Sequence, residues 1–175
     1  GKHHLNAMAG ASWQARTYNY FGGTDTKFID DYYEFYNFGK GTEKPSVSSD
    51  YDKWQMNSYF LRLAYNYDNT YMATVTGRYD GSSKFGKDNK YAFFPSVGLG
   101  WLASNEKFLR DNNTISKLKL HTSFGVTGNS EIGTYRSLAT VSQSTTIIGG
   151  QMHQVSYLDN MPNSKLKWEK TAQWD

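Results

Sequence analysis

The sequence predicts an all-β fold, in which antiparallel up-and-down strands form part of a large transmembrane β-barrel of an outer membrane. Three observations support this. Apolar and polar residues alternate with a period of two over stretches of about ten residues. Short connections alternate with long ones. Aromatic residues make up 17% of the chain although only 38% of it is hydrophobic. Barrel strands show this alternation, and Tyr and Trp mark both borders of the membrane.

The alternation places the strands. In "NSYFLRLAYNY", Leu61 and Leu63 share a face with tyrosines, while Ser58 and Arg62 lie on the opposite face. We therefore expect Leu61→Arg to place a charge in lipid and Ser58→Arg to be better tolerated. In the last stretch, "KLKWEKTAQWD", the same alternation places Trp168 on the apolar face. About six strands are predicted, at residues 4–16, 57–67, 71–80, 94–103, 116–128 and 165–175.

The connections have very different lengths. Roughly thirty residues follow the first stretch, whereas "DNT" alone joins the second to the third. Loops of the first kind are unusual in compact soluble domains, and we assign them to the outer side of the membrane. In a bilayer every backbone N–H and C=O group must be paired internally, so a sheet that crosses it has to close into a barrel. A soluble β-rich carbohydrate-binding module, with exposed Tyr and Trp as stacking platforms, is the alternative.

Charge and composition exclude several functions. The formal net charge is +3, from 19 basic and 16 acidic residues scattered along the chain, so nucleic acid is not an expected partner. Because Cys is absent, neither disulfides nor thiolate metal sites are possible. The four His residues are dispersed without the spacing of metal ligands. No apolar run approaches the roughly 20 residues of a membrane-spanning helix. No metal, cofactor or enzymatic activity is predicted.

Two glycine motifs imitate nucleotide sites. Gly81, Gly86 and Lys87 have the spacing of a phosphate-binding loop, but Asp88 follows where Ser or Thr is required. We interpret this stretch as a hairpin tip whose glycines adopt positive φ. The "GLGWLA" stretch resembles a dinucleotide fingerprint, but it lies within an alternating strand. Its glycines are expected on the polar side, where small residues leave space.

The stretch from Arg78 to Leu109, "RYDGSSKFGKDNKYAFFPSVGLGWLASNEKFL", resembles a signature region of the SusC/RagA-type TonB-dependent transporters of the outer membrane. The stretches "ISKLKLHTSFGVTGNSEIG" and "NSKLKWEKTAQWD" are similar to later strands of that family. The opening "HHLNAMAGASWQ" looks like an earlier strand, with a looser match. The resemblance covers most of the chain, and the long loops are its least familiar parts.

This resemblance implies a barrel of about 22 strands filled by a plug. Residues 1–175 would be an incomplete segment of one such barrel domain, since the sequence opens on Gly1 without an initiator Met. The plug would lie elsewhere. The implied function is TonB-powered import of oligosaccharide or peptide nutrients through the outer membrane of a Gram-negative, Bacteroidetes-like cell. The implied partners are a SusD-like surface lipoprotein, the TonB complex reached through the plug, and outer-membrane lipid.

The candidate ligand-binding residues are loop aromatics and cations predicted to face the lumen. The loop "DDYYEF" combines carboxylates with rings that could stack on sugars or pack against a lid protein. Catalysis there would require a fixed separation of carboxylates, which spacing within a loop does not provide. Structural roles, in loop packing and in charge balance within the lumen, are the alternatives for these residues. The predicted contacts are Tyr32, Tyr33, Tyr36, Arg62 and Arg78.

Overall fold

The computed structural model describes residues 1–32, 34, 36–110 and 114–175. These residues form eight β-strands: β1 (His3–Thr24), β2 (Ser46–Tyr67), β3 (Tyr71–Ser82), β4 (Tyr91–Leu102), β5 (Lys119–Asn129), β6 (Thr140–Ile148), β7 (Gln151–Asn160) and β8 (Glu169–Trp174). Helix in the described part of the chain is confined to one 3-10 turn, Ala103–Asn105. No helix there is long and apolar enough to cross a membrane.

Six strands form one sheet in the order β1-β2-β3-β4-β5-β8, and β6 pairs with β7 in a separate two-stranded sheet. The pairings from β2 through β5 to β8 are antiparallel. Neighbours in the chain are thus neighbours in the sheet, apart from the excursion that carries β6 and β7. The prediction of an all-β, up-and-down architecture is confirmed, and the barrel is not closed within this segment.

The chain divides into two compact units, which are described separately. One contains Gly1–Gln14 and Gln55–Asp175, and the other contains Ala15–Trp54. The first holds β3, β4, β5, β8 and the β6–β7 hairpin, together with the adjoining parts of β1 and β2. The second holds the remainder of β1 and β2 and the connection between them.

A tight turn joins β2 to β3. Asp68 and Asn69 have φ of 51° and 52°, and the Thr70 N–H donates to the Tyr67 carbonyl at 2.9 Å. Positive φ at both central positions is the type I′ geometry of short hairpins, which Asn and Asp tolerate. Lys2 lies beside this turn, and its ammonium contacts the Asp68 carboxylate at 2.9 Å. The short connection predicted at "DNT" is confirmed.

One face of the sheet is apolar and continuous across its strands. Leu63 pairs with Val75, Val75 with Val97, Val97 with Phe124, and Phe124 with Trp174. In the part of the chain that the structure describes, no second layer covers this face, since Leu63 is 41%, Val75 53%, Leu99 55% and Leu120 53% exposed. A soluble sandwich would bury these side chains in a core. Their exposure confirms the predicted outward apolar side.

Aromatic side chains border the apolar face at both ends. Tyr71 and Trp101 lie opposite each other near the short turn. Tyr79 and Tyr91 stack with ring centroids 5.1 Å apart near the other end. Tyr71 and Tyr79 are eight residues apart, which corresponds to about 27 Å along a strand. At a tilt of about 40° this gives about 20 Å across a membrane, close to the apolar band of a barrel. We call the short-turn end periplasmic, because barrels place short turns there.

The connections at the two ends follow the alternation only in part. Within the first unit, residues 83–90 and 130–168 connect strands at the outer end, whereas residues 68–70 and 103–118 do so at the periplasmic end. The connection at 103–118 is therefore longer than the one at 83–90. The predicted alternation of short and long connections therefore fails at this position.

The opposite face of the sheet is polar. On β4, Gly98 and Gly100 lie on it as predicted, where a β-carbon would meet Ser123 Cβ at 3.8 Å and Met72 Cβ at 3.5 Å respectively. These are ordinary van der Waals distances, so a β-carbon would fit at either position and neither glycine is needed for a close approach. Room of this kind is compatible with a lumen that holds other groups.

A small buried cluster lies at the outer end of β4. It consists of Phe85, Ala92, Phe94 and Trp168. Pairing between β4 and β5 ends at Ser96 and Gly125, and above that point residues 164–168 contact the β3–β4 connection. The Gly86 N–H donates to the Leu166 carbonyl at 3.3 Å, and the Trp168 indole N–H donates to the Lys90 carbonyl at 2.9 Å. We call these two segments, 85–90 and 164–168, the clamp.

Three expectations were wrong in this region. Trp168 is 6% exposed and packs on Phe85 and Phe94 rather than facing lipid. Gly81 and Gly86 do not have positive φ. They are needed for close approach instead, because a β-carbon would overlap the Tyr91 ring at Gly81 and the Ser164 carbonyl at Gly86. Ser58 is 1% exposed, so an arginine has no room there.

The structure also contains strand that the alternation did not predict. β1 and β2 run well into the expected thirty-residue loop and leave residues 25–45 as the connection. The β6–β7 hairpin occupies the last long loop and turns at Gly149 and Gly150, with φ of 61° and 81°. Asn160 closes its base by donating to the carbonyls of Leu138 at 2.9 Å and Arg136 at 3.3 Å.

Candidate functional site

Arg78 is held on the polar face by a buried carboxylate. Its Nε donates to both oxygens of Asp80 at 2.7 Å, and its Nη2 donates to Ser58 Oγ at 3.1 Å. The Asp80 side chain is 9% exposed and that of Arg78 is 48% exposed. Asp80 thus has its charge compensated within the sheet, and Arg78 still presents part of its side chain to the lumen side.

Strand geometry explains this arrangement. Residues two apart on a strand point to the same face, so Arg78 and Asp80 are neighbours along β3. Ser58 lies directly opposite Asp80 on β2. The stretch "GRYDGS" therefore specifies a charge pair by sequence spacing alone, and the register adds the hydroxyl.

Arg62 lies close to this pair on the same face. It is opposite Thr76 on β3 and exposed, and Arg78 is its diagonal neighbour across the two strands. Within the part of the chain that the structure describes, no carboxylate lies within 4 Å of the Arg62 guanidinium. Arg62 is therefore the more available of the two predicted cations for a carboxylate, sulfate or hydroxyl-rich ligand.

The predicted aromatic contacts lie in the second unit. Tyr32 and Tyr36 are both exposed in the connection between β1 and β2, and the Tyr32 N–H donates to Asp30 Oδ1 at 3.1 Å. Tyr33 lies outside the described residues. The tyrosines and the arginines belong to different units, and each set is a separate candidate contact surface.

Asp25 organises the connection that carries these tyrosines. Its Oδ2 accepts the N–H of Gly39 at 2.7 Å and that of Gly41 at 3.1 Å, and its Oδ1 accepts the N–H of Thr26 at 2.9 Å. The hydrogen bond from Gly41 is the main reason that the pKa of Asp25 lies below its ordinary value. Nearby, Lys27 and Glu43 form an ion pair across the base of the same connection.

Sequence reasoning did not find Asp25. The signal that could have found it is the pairing of an Asp at the end of a strand with the glycines of "FGKG", because a carboxylate can cap several N–H groups only where side chains do not block it. A β-carbon on Gly41 would overlap the Asp25 carboxylate. The described residues contain no group of three or more His, Asp or Glu side chains placed to hold a metal ion.

The comparisons with known proteins agree with this geometry. Residues 2–175 match the family model described as TonB dependent receptor-like, beta-barrel. The chain is 37% identical over 176 residues to TonB-dependent receptor P3 of Formosa agariphila, covering all of this chain and 18% of that protein. It is 42% identical over 122 residues to TonB-dependent receptor SusC of Bacteroides thetaiotaomicron, covering 67% of this chain and 12% of that protein.

A solved structure has the same fold. A chain of the RagAB peptide transporter superposes with a TM-score of 0.87 at 29% identity, covering 99% of this chain and 19% of that one. The chain thus spans at most about a fifth of the length of these relatives. The apolar sheet face, its aromatic borders and these matches together show that the chain belongs to the TonB-dependent receptor β-barrel family of outer-membrane proteins and is of the SusC/RagA type.

Proposed function

We propose that the protein containing this segment imports oligosaccharide or peptide nutrients across the outer membrane. The segment supplies part of the barrel wall and of the outer loops. The energy comes from the TonB complex, acting on a plug outside residues 1–175. A SusD-like surface lipoprotein covers the outer opening. The protein is a transporter, and no residue here performs covalent chemistry.

One observation carries this proposal: the sheet exposes a continuous apolar face between two aromatic borders and a polar face behind it. Such a sheet is stable where lipid contacts one side and an aqueous or protein-filled lumen contacts the other. The names of the relatives support import in particular, since one is a SusC receptor and another a peptide transporter. The soluble carbohydrate-binding module has no support, because Leu63, Val75 and Leu99 would then face water.

The predicted contacts have distinct roles in this proposal. Tyr32 and Tyr36 lie in the connection between β1 and β2 and offer rings to a sugar, a peptide or the lid, and we assign the same role to Tyr33 from the sequence. Arg62 offers a charge to a substrate or to the plug. Arg78 secures the wall through Asp80 and contributes the exposed part of its guanidinium.

The proposal is tested in the native host by deleting the gene for the full-length protein. Cells receive a defined mixture of oligosaccharides and a defined mixture of oligopeptides, and mass spectrometry follows depletion of each from the medium. We expect the deletion to abolish uptake of compounds from one mixture. Wild-type protein should restore it, and a proton-motive-force uncoupler should block it again. Undiminished, uncoupler-insensitive uptake of both mixtures in the deletion strain would contradict the proposal.

The substrate contacts are tested in the complemented strain. The Arg62→Ala variant should reduce uptake while leaving the amount of folded receptor unchanged. A Tyr32→Ala, Tyr36→Ala double variant should do the same if these rings contact substrate or lid. Normal uptake by both variants would assign Arg62, Tyr32 and Tyr36 to structural roles.

A further inference from the structure

A groove crosses the apolar face just above the periplasmic aromatic border. Ala73 forms its floor, because this small residue lies between Tyr65 on β2 and Leu99 on β4 in the same cross-strand row. The walls are Tyr65, Tyr71, Leu99, Trp101 and Leu120. Its volume is about 500 Å³, within the range of about 300–1,000 Å³ that is typical of small-ligand sites. We call it the Ala73 groove.

Two walls of the Ala73 groove, Tyr71 and Trp101, are held in place by a carboxylate on its periplasmic side. Glu106, in the connection between β4 and β5, accepts a hydrogen bond from the Tyr71 hydroxyl at 2.5 Å and another from the Trp101 indole N–H at 3.3 Å. A carboxylate that accepts from both rings limits their rotation, since moving either ring breaks a charge-assisted hydrogen bond. The groove is therefore a preformed feature.

The segment that carries Glu106 continues as a basic turn. The Arg110 N–H donates to the Glu106 carbonyl at 2.9 Å, so residues 106–110 form one compact turn. Lys107 and Arg110 are exposed, and Phe108 is 70% exposed. No carboxylate of the described residues lies within 4 Å of the Lys107 ammonium. An exposed Phe flanked by two cations is typical of a segment that lies in the membrane–water interface.

We propose that the Ala73 groove and the basic turn 106–110 together bind one anionic phospholipid of the periplasmic leaflet. An acyl chain lies over Ala73 between the aromatic walls, and the phosphate lies against Lys107 and Arg110. Glu106 connects the two parts, because it contacts the groove walls through its carboxylate and Arg110 through its carbonyl. The inference rests on the placement of the sheet in the membrane and does not depend on what the protein transports.

Charge favours this occupant over a zwitterionic lipid. A Lys or Arg near an anionic membrane surface contributes about 1 kcal/mol of binding free energy, so the two cations together correspond to about 30-fold in affinity. The carboxylate of Glu106 is engaged by the Tyr71 hydroxyl and the Trp101 indole N–H. The groove adds the acyl-chain contacts that a free phosphate would lack.

The test uses the full-length protein in nanodiscs that contain equal amounts of phosphatidylglycerol and phosphatidylethanolamine. Native mass spectrometry counts the lipids retained after release. We expect wild-type protein to retain one phosphatidylglycerol. The Lys107→Ala, Arg110→Ala double variant should bind it about 30-fold more weakly. The Lys87→Ala, Lys165→Ala double variant, which removes two cations at the outer end, should match wild type.

A second variant tests the groove independently. Ala73→Phe fills the floor without changing charge and should lower retention of phosphatidylglycerol, while folding is monitored by the heat-dependent mobility of the barrel on gels. Equal retention by the double variant and wild type would overturn the proposal, as would equal retention by a folded Ala73→Phe variant. Glycerol phosphate that displaces the lipid at the same concentration as phosphatidylglycerol would also overturn it, since the site would then bind only the phosphate.

Discussion

Trp168 donates its indole N–H to the carbonyl oxygen of Lys90 at 2.9 Å, although 78 residues separate the two in the chain. This bond and the Phe85–Trp168–Phe94 packing hold the β3–β4 connection against the segment that leads into β8. The clamp therefore joins two outer connections where β4 and β5 have ceased to pair. Long-range contacts of this kind suggest four tests of the sheet and its loops.

Replacing Gly86 by Ala should loosen the clamp. A β-carbon there overlaps the Ser164 carbonyl, which belongs to backbone and yields little. Overpacking of this kind typically costs about 1–3 kcal/mol, and we expect a matching loss in the thermal stability of the full-length barrel, measured by its heat-dependent gel mobility. Gly98→Ala is the control, since its β-carbon meets only Ser123 Cβ at 3.8 Å. Equal melting of both variants would show that the clamp does not constrain the outer end.

Leu61→Arg should destabilise the barrel by about 2–4 kcal/mol if its depth is near mid-membrane. Leu61 is half exposed on the apolar face, where an arginine would contact lipid tails. The measurement is equilibrium unfolding of the full-length protein in lipid. Ser123→Arg serves as the comparison, because Ser123 is exposed on the polar face opposite Gly98. Similar unfolding free energies for the two variants would contradict the assignment of the apolar face to lipid and of the polar face to the lumen.

Replacing Arg78 by Ala should lower the stability of the barrel, whereas replacing Arg62 by Ala should not. Arg78→Ala leaves the carboxylate of Asp80 without its partner, and an unsatisfied charged group costs about 1–3 kcal/mol or more, so unfolding should become easier. Arg62→Ala removes no ion pair among the described residues and should leave unfolding unchanged. Unfolding experiments on both full-length variants decide this. A larger loss in Arg62→Ala than in Arg78→Ala would contradict the arrangement.

The connection at residues 25–45 should open in acid. The pKa of Asp25 is lower folded than unfolded, chiefly through the N–H of Gly41, so its contribution is present above the ordinary Asp pKa of about 3.9 and is lost as the pH falls through the lower folded value. Hydrogen exchange at Gly39 and Gly41, measured relative to unstructured amides at the same pH, should therefore become faster below about pH 4 in wild type. Asp25→Ala should show fast exchange at neutral pH as well. Slow exchange in that variant would mean that other contacts hold the connection.

Much of the sheet could be predicted from sequence because the membrane imposes a strict period of two. Leu61, Leu63 and Val75 reveal their face by alternation alone, and Asp68-Asn69 reveals the turn. The β6–β7 hairpin was missed because Ser, Thr and Gln fill both of its faces, although Gly149-Gly150 is a recognised two-residue turn signal. Period-two reasoning also had no means of detecting that Trp168 leaves the strand pattern to fill a gap between β4 and β5.

The candidate site was less predictable. The alternation placed Arg62 and Arg78 on the polar face, and the spacing of Arg78 and Asp80 allows their pairing, but only the structure shows that the pair forms with Ser58 beside it and that Arg62 stays outside it. The role of Asp25 depends on Gly39 and Gly41, more than a dozen residues away. Contacts within irregular loops depend on backbone path, which local sequence does not determine. The ligand-binding roles of Tyr32, Tyr33, Tyr36, Arg62 and Arg78 stay predictions.

The excursion that carries β6 and β7 leaves the sheet at Asn129 and returns at Glu169, and these two residues are register partners whose side chains are hydrogen-bonded at 3.1 Å. The two ends of the excursion are therefore adjacent in the sheet, and the clamp holds the segment that leads back into β8. Insertions, deletions and substitutions in this excursion thus need not disturb the strands of the six-stranded sheet. The part of the protein that faces the cell exterior can therefore vary in this excursion while the pairing of the six-stranded sheet is kept.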